Sequence, residues 1–211
     1  MSANHDNYHH PEKETYSAAR AKAIESLLLE KGVIGTDTVD KVITFFETDM
    51  GPLNGAKVVA RAWTDPEFRD WLLADSTAAV SSMGYWGAEG EHVRVVANEP
   101  GVHQLIVCTL CSCYPWPLLG LPPYWFKDPV YRARAAIEPR AVLSEFGLDL
   151  PPETEIKVWD SSAQIRYMVL PERPPGTDGM AAEELVPLVT PGSMQGIELA
   201  KSPAAQPSGS S

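Results

Sequence analysis

Three cysteines packed into six positions constrain this chain more than any other feature of it. Cys108, Cys111 and Cys113 are its only cysteines, and all lie in the stretch VCTLCSC at 107–113. Three thiols cannot all pair within one chain. The N-terminal stretch MSANHDNYHHPEKE is polar and carries no apolar signal-peptide core, so a reducing, cytoplasmic setting is expected, and there structural disulfides are disfavoured. The segment is therefore a metal site, a redox site or a reactive thiol site.

The rest of the composition narrows the class. A 44% hydrophobic chain of 211 residues with six Trp, seven Tyr and five Phe can bury a core. Its 17 Lys+Arg stand against 28 Asp+Glu, a formal charge of −11. With no basic stripe, a nucleic-acid partner is not expected. No apolar run approaches the roughly 20 residues of a membrane span, so no membrane is expected either.

The first 83 residues read as helical. Ala18, Ala21, Ile24, Leu27 and Leu28 recur at three- and four-residue steps and predict a helix over 12–31, stopped by Gly32. Thr36 or Asp37 caps a second helix carrying Val39, Val42, Ile43 and Phe46. Residues 55–63 continue in helical period. Asp65-Pro66 opens a helix with Phe68, Trp71 and Leu72 on one face, and 76–83 forms another, ended by Gly84. The character then changes. Residues 92–97, 103–107, 155–160 and 164–170 read as short strands. Residues 128–138, 139–146 and 181–188 read as helices, and SPAAQPSGSS at 202–211 as a disordered tail. Between the cysteines and residue 127 lies YPWPLLGLPPYWF, whose four prolines exclude a regular helix or a central strand. Its aromatic content predicts an ordered, packed loop.

Thiolates at i, i+3 and i+5 of a tight turn can converge on one ion, and soft sulfur donors select transition metals over Mg²⁺ or Ca²⁺. Zinc is the plain candidate, but a structural zinc site takes four side-chain ligands. His103 is the nearest fourth. His5, His9 and His10 are read as part of a solvated tail. A thioredoxin-type C-x-x-C is a second alternative, although there the pair opens a helix. A third set of donors comes from the backbone. The peptide nitrogens of Ser112 and Cys113 lie beside any ion that the flanking sulfurs hold, and with two sulfurs they would complete a square plane around a low-spin trivalent cobalt or iron. Residue types alone leave the three readings open.

The flanking residues add a resemblance. VCTLCSCYPWPLLGLPPYWFK at 107–127 resembles the metal-binding segment of the nitrile hydratase α subunit. The likeness runs through GPLNGAKVVARAWTDPEFRDWLLAD at 51–75, YRARAAIEPRAVLSEFG at 131–147 and EIKVWDSSAQIRYMVLPERPPGTDG at 155–179, and covers about residues 20–198. It implies hydration of nitriles to primary amides at a non-corrin Co(III) or Fe(III). Thr109, following the first cysteine, matches the cobalt type. Carried over by position, Cys108 is the axial thiolate, Cys111 the sulfinate and Cys113 the sulfenate, and Ser112 and Cys113 donate their amide nitrogens. The nucleophile is left open among a hydroxide on the metal, a nearby activated water and the Cys113 sulfenate oxygen. Trp116 would line the substrate pocket or simply pack. Arg166 would support the metal loop from beneath or sit on the surface. Asp160, Ser161 and Ser162 would brace the loop or form a plain turn.

The resemblance further implies a β subunit, without which the chain should be inactive, in an αβ or (αβ)2 assembly, and an accessory protein for cobalt insertion. The expected fold is α+β: a helical arm at 12–83, then a layered α-β-β-α domain at 84–200 bearing the metal loop, with tails at 1–11 and 201–211. The metal-bearing subunit of thiocyanate hydrolase shares the claw and is the nearest alternative. A structural zinc protein is the alternative of another class. One departure stands out. The family carries Gln and Asp where GAEGEH at 87–92 places Glu89 and His92. An acid facing the metal would act as a base or change the charge of the pocket, whereas one facing solvent would do neither.

Overall fold

The computed structural model describes residues 16–48, 50–85 and 92–203. Glu89, both expected tails except 201–203, and residues 12–15 of the first expected helix lie outside them. The chain divides into two compact units between Phe45 and Phe46. In the first, α1 (Tyr16–Glu30) has the predicted apolar stripe but buries none of it. Ile24 and Leu27 are each more than half exposed. α2 (Thr38–Thr48) starts just after the predicted cap, with Lys41 paired to Asp37 one turn back.

The second unit opens with α3 (Pro52–Thr64), α4 (Pro66–Ala74) and α5 (Ser76–Ser82). Each of the last two starts at an aspartate. Asp65 accepts from the Phe68 amide and Asp75 from the Ala78 amide, satisfying donors that a helix start leaves free. These helices were expected in the arm. They belong instead to the main core, because Val58, Val59, Phe68, Leu72 and Val80 are buried together with β1 (Val93–Ala97) and β4 (Arg166–Leu170). The arm boundary at 83 is thus replaced by one near 46, and the physical reason is that the apolar faces of α3 to α5 have the strands to cover.

All four strands form as two parallel pairs. β1 pairs with β4 from Val93↔Arg166 to Ala97↔Leu170. β2 (Val102–Val107) pairs with β3 (Glu155–Asp160) from Val102↔Glu155 to Val107↔Asp160. Side-chain alternation then sorts β2. Leu105 and Val107 join Ala135, Val142 and Leu143 of α8 (Pro129–Ile137) and α9 (Pro139–Glu145), while Ile106 and Cys108 face the α3–α5 core. The architecture is α+β, with helices outside two small parallel sheets. No helix among the described residues is long and apolar enough to cross a membrane.

The proline-rich stretch is packed as expected, with Tyr114, Leu118 and Phe126 buried. It nevertheless holds two single-turn helices, α6 (Trp116–Leu119) and α7 (Tyr124–Lys127). Pro117 sits in the first turn of α6 and Pro123 at the cap of α7, where no proline N–H is needed. The helix expected at 181–188 is split into α10 (Ala182–Leu185) and a 3₁₀ turn at Val186–Leu188. A further helix, α11 (Pro191–Gln195), was not predicted. The ordered chain continues past 200, since the Lys201 amide bonds the Leu188 carbonyl at 2.8 Å.

β2 carries a buried polar group at its other end. The Asn98 side-chain oxygen takes the Gln104 amide (2.7 Å), which turns its NH₂ toward His103 Nδ1 (3.3 Å). His103 Nε2 therefore carries the proton and donates to the Gly196 carbonyl (2.6 Å). A second ring proton would meet the Asn98 NH₂, so the site suits the neutral imidazole. Burial holds its pKa below the ordinary 6.5, opposed by the Gly196 carbonyl and Glu172. As pH falls through that value, the unfolded chain takes up a proton that the folded ring resists. This contribution is therefore complete above about pH 6.5 and is lost below it. His103→Gln should flatten the fall in unfolding free energy between about pH 7 and 5; equal slopes in mutant and wild type would refute the assignment.

Candidate metal centre

The cysteine loop leaves the carboxyl end of β2, and the strand register decides its first contact. Val107 pairs with Asp160 at the end of β3. The Asp160 carboxylate therefore meets the next residue, accepting the Thr109 amide at 2.9 Å and its hydroxyl at 2.5 Å. This clamp reverses the chain directly after Cys108. Ser161 braces the same end, its amide bonding the Val107 carbonyl at 2.8 Å and its hydroxyl accepting from the Tyr167 amide. Ser162 bonds Gln164 and closes a local turn. Of the three residues, Asp160 and Ser161 are the ones that brace.

Past the clamp the three sulfurs converge. Cys108 Sγ lies 3.3 Å from Cys111 Sγ, which lies 3.0 Å from Cys113 Sγ. All three sulfurs fall within 4.8 Å of one another, and among the described residues no other such group of His, Cys, Asp or Glu occurs. Cys108 is fully buried, Cys113 half-buried and Cys111 exposed. The backbone turns its donors the same way. The Cys111 and Cys113 amides point at Cys108 Sγ, and the Ser112 and Cys113 amides point at Cys111 Sγ. Three sulfurs and the peptide N–H groups of Cys111, Ser112 and Cys113 thus crowd one turn, and sulfur with nitrogen is a donor set that suits a transition ion.

The thiols alone make an uneasy group. Hydrogen bonding from Cys113, more than any other influence, holds Cys111 below its ordinary thiol value. Burial raises Cys108 and pushes Cys113 up to about 12. One thiolate is thus accommodated and three are not, unless a multivalent cation offsets their repulsion.

The surroundings are assembled by the aromatic loop. Tyr114 is buried edge-on to Phe126, with ring centroids 4.9 Å apart, and its hydroxyl meets the Gln195 amide. Trp116 is half-buried against the main core. Arg166 is buried, donates from Nη1 to the Ala163 carbonyl at 2.7 Å, and its charge acts on Cys113. It is therefore not a surface residue. His103 stands at the opposite end of β2, five residues and about 16 Å of strand from Cys108, so the Cys₃His zinc site does not form. Nor does a helix start at Cys108, as a thioredoxin-type pair requires. The sequence reading overlooked Arg132 of α8, whose Nη1 donates to the Cys111 carbonyl. Its signal was faint: Asp128-Pro129 fixes where α8 begins, and hence which residues of its first turns face back toward the loop.

Comparison with known proteins agrees with this geometry. The family profile described as nitrile hydratase, alpha chain, matches residues 15–198. The chain belongs to the nitrile hydratase α-chain family. It is 55% identical over 184 residues to the cobalt-containing nitrile hydratase subunit alpha of Pseudonocardia thermophila, covering 87% of this chain and 90% of that one. It is 52% identical over 195 residues to the high-molecular weight cobalt-containing nitrile hydratase subunit alpha of Rhodococcus rhodochrous, covering 92% and 96%. A solved double mutant of the Fe-type nitrile hydratase from Comamonas testosteroni Ni1 superposes with a TM-score of 0.83 at 40% identity, covering 92% and 96%. Thiocyanate hydrolase subunit gamma of Thiobacillus thioparus is more distant, at 38% over 190 residues, covering 85% and 78%. Membership of an α-chain family implies a β-subunit partner. The cobalt-containing relatives and the cysteine cluster together support a metal centre in this chain.

Proposed function

We propose that this chain is the metal-bearing subunit of a cytoplasmic enzyme that hydrates nitriles to primary amides, with a non-corrin cobalt held by Cys108, Cys111, Cys113 and the amide nitrogens of Ser112 and Cys113. The observation that carries this reading is the convergence of the three sulfurs at the mouth of a parallel strand pair, with the Ser112 and Cys113 amides among those turned toward them. A trivalent cobalt in that donor set supplies Lewis acidity, which polarises a nitrile through its nitrogen.

The chain's own residues arrange the rest. Asp160 sets the start of the loop through Thr109. Thr109 also stands where the cobalt type carries threonine, and cobalt-containing relatives are 52–55% identical; iron is the less favoured metal. Arg166 is buried and its charge favours the ionised form of Cys113, which supports a role in steadying an oxidised sulfur there. Carried over from the family resemblance, Cys111 is the sulfinate, Cys113 the sulfenate and Cys108 the unmodified thiolate; Cys111 is the exposed one of the three and Cys108 the buried one. Oxygen on sulfur weakens its donation and so raises the acidity of the site. Trp116 and Glu89 are the candidate pocket residues. The β subunit completes the site in an αβ or (αβ)2 assembly, and an accessory protein inserts the cobalt.

The test is the co-expressed αβ complex, assayed for metal, intact mass and product. The expected result is cobalt near one per α chain, two added oxygens on Cys111 and one on Cys113, and amide formed from a nitrile. Zinc in place of cobalt or iron would sink the reading. Carbonyl sulfide and ammonia released from thiocyanate, with no amide from nitriles, would transfer the chain to the thiocyanate hydrolase branch.

A further inference from the structure

One contact beside the cysteine loop has no part in the scheme above. Arg132, on the second turn of α8, sends Nη1 across 21 residues of sequence to the carbonyl oxygen of Cys111. The helix that presents it is firmly set. Asp128 caps it, accepting from the Val130 amide at 2.7 Å and the Tyr131 amide at 3.2 Å. The neighbouring Tyr131 packs edge-on against Trp125 and Phe146, with centroids 4.7 and 5.7 Å away. Arg132 Nε is itself buried and has no partner among the described residues. That is a costly arrangement for a guanidinium that did nothing but decorate a loop.

The oxygen it holds belongs to the same peptide unit as the Ser112 nitrogen. A trans peptide is planar, with its C=O and N–H pointing in opposite directions. Fixing the Cys111 oxygen on the α8 side therefore turns the Ser112 nitrogen the other way, and that nitrogen faces the Cys111 sulfur. A peptide nitrogen that donates to a cation also shares its electron density with the carbonyl oxygen. A guanidinium on that oxygen favours the arrangement through a charge-assisted bond.

We propose that Arg132 is a positioning residue of the metal centre: by holding the Cys111 carbonyl oxygen, its guanidinium keeps the Ser112 nitrogen turned toward the Cys111 sulfur and so into the cluster. The proposal rests on the cobalt reading given above. It assigns to a side chain outside the cysteine motif the orientation of one of the two peptide donors.

The experiment uses the αβ complex of wild type, Arg132→Gln and Arg132→Lys, loaded with cobalt, and follows cobalt release to a chelator together with the visible sulfur-to-metal absorption. Removing a residue that orients a ligand costs about 10–100-fold in metal retention. Arg132→Gln should release cobalt faster by about that factor and shift the absorption band. Arg132→Lys keeps a cation but not the fork, and should fall between the two. A merely structural tether would lower the unfolding temperature without moving the band. Wild-type release and an unmoved band in Arg132→Gln overturn the proposal, as does a lysine variant no better than glutamine. If the glutamine variant does not assemble, a wild-type release rate in Arg132→Lys overturns it. A wild-type complex that holds no cobalt removes the functional reading itself, a result distinct from any of these.

Discussion

Cys113→Ala should leave the assembled protein with cobalt well below one per chain and with kcat/KM for nitrile hydration down by on the order of 10³-fold or more, about 4 kcal/mol of transition-state stabilisation. Cys113 stands at the centre of the donor set. Its sulfur lies 3.0 Å from that of Cys111, and its amide faces both other sulfurs. Alanine keeps the amide and removes the sulfur, so the variant separates the two donors of one residue. Folding cannot account for a loss of that size. Cys113 is only half-buried at the edge of the main core, and deleting one sulfur there should cost about 1 kcal/mol. Cobalt content, steady-state kinetics and thermal unfolding on one preparation check the three parts. Full cobalt with activity within tenfold of wild type would show that the third sulfur is not a ligand.

The site was legible in sequence where its donors are adjacent and illegible where they come from elsewhere in the chain. Cys108, Cys111 and Cys113 lie on one turn, so their spacing alone announced convergence. Ser112 was legible only through its backbone, because no side-chain pattern marks a peptide nitrogen. Asp160 was visible as a polar residue after a strand, but its clamp on Thr109 depends on the β2–β3 register, which alternation along either strand alone does not fix. Arg132 was missed because its role depends on where α8 crosses the loop. His103 was read as a nearby ligand from sequence distance alone. In a strand, five residues put it at the far end, where a different network holds it.

The fold shows the same division. Strands and long helices followed from periodicity, and Asp65 before Pro66 marked a helix start; the caps at Asp75 and Asp128 came only with the structure. The arm was drawn too long because α3 to α5 and α1 are equally helical in pattern. What separates them is what each face packs against, and only the strands far along the chain decide that. α11 escaped because Pro191-Gly192-Ser193-Met194-Gln195 has no apolar period; its residues from Gly192 on are buried, polar ones included.

That buried segment carries the second large effect. Gly196 ends α11 at φ +89, and a Cβ there would overlap the Gln104 carbonyl oxygen and stand 3.0 Å from Leu105 Cα, both in the backbone of β2. Neither can move aside as a side chain could, and β2 is hydrogen-bonded to β3 along its length. Gly196→Ala should therefore cost about 4 kcal/mol or more, at the exceptional end of single substitutions and a large share of a typical stability of roughly 5–15 kcal/mol. The His103 bond to the Gly196 carbonyl should break with it, leaving a buried ring nitrogen unpaired. Gly147→Ala serves as the control. Gly147 has a similar φ of +84, but nothing lies within 4 Å of its Cβ position, so it reports backbone strain alone, about 1–2 kcal/mol. Denaturant unfolding of the two variants in the assembled protein gives the difference. Equal losses would mean that the close approach of α11 to β2 is not what demands glycine. A much larger loss at Gly196 would show that this contact seats the C-terminal helix on the strand whose far end carries the metal loop.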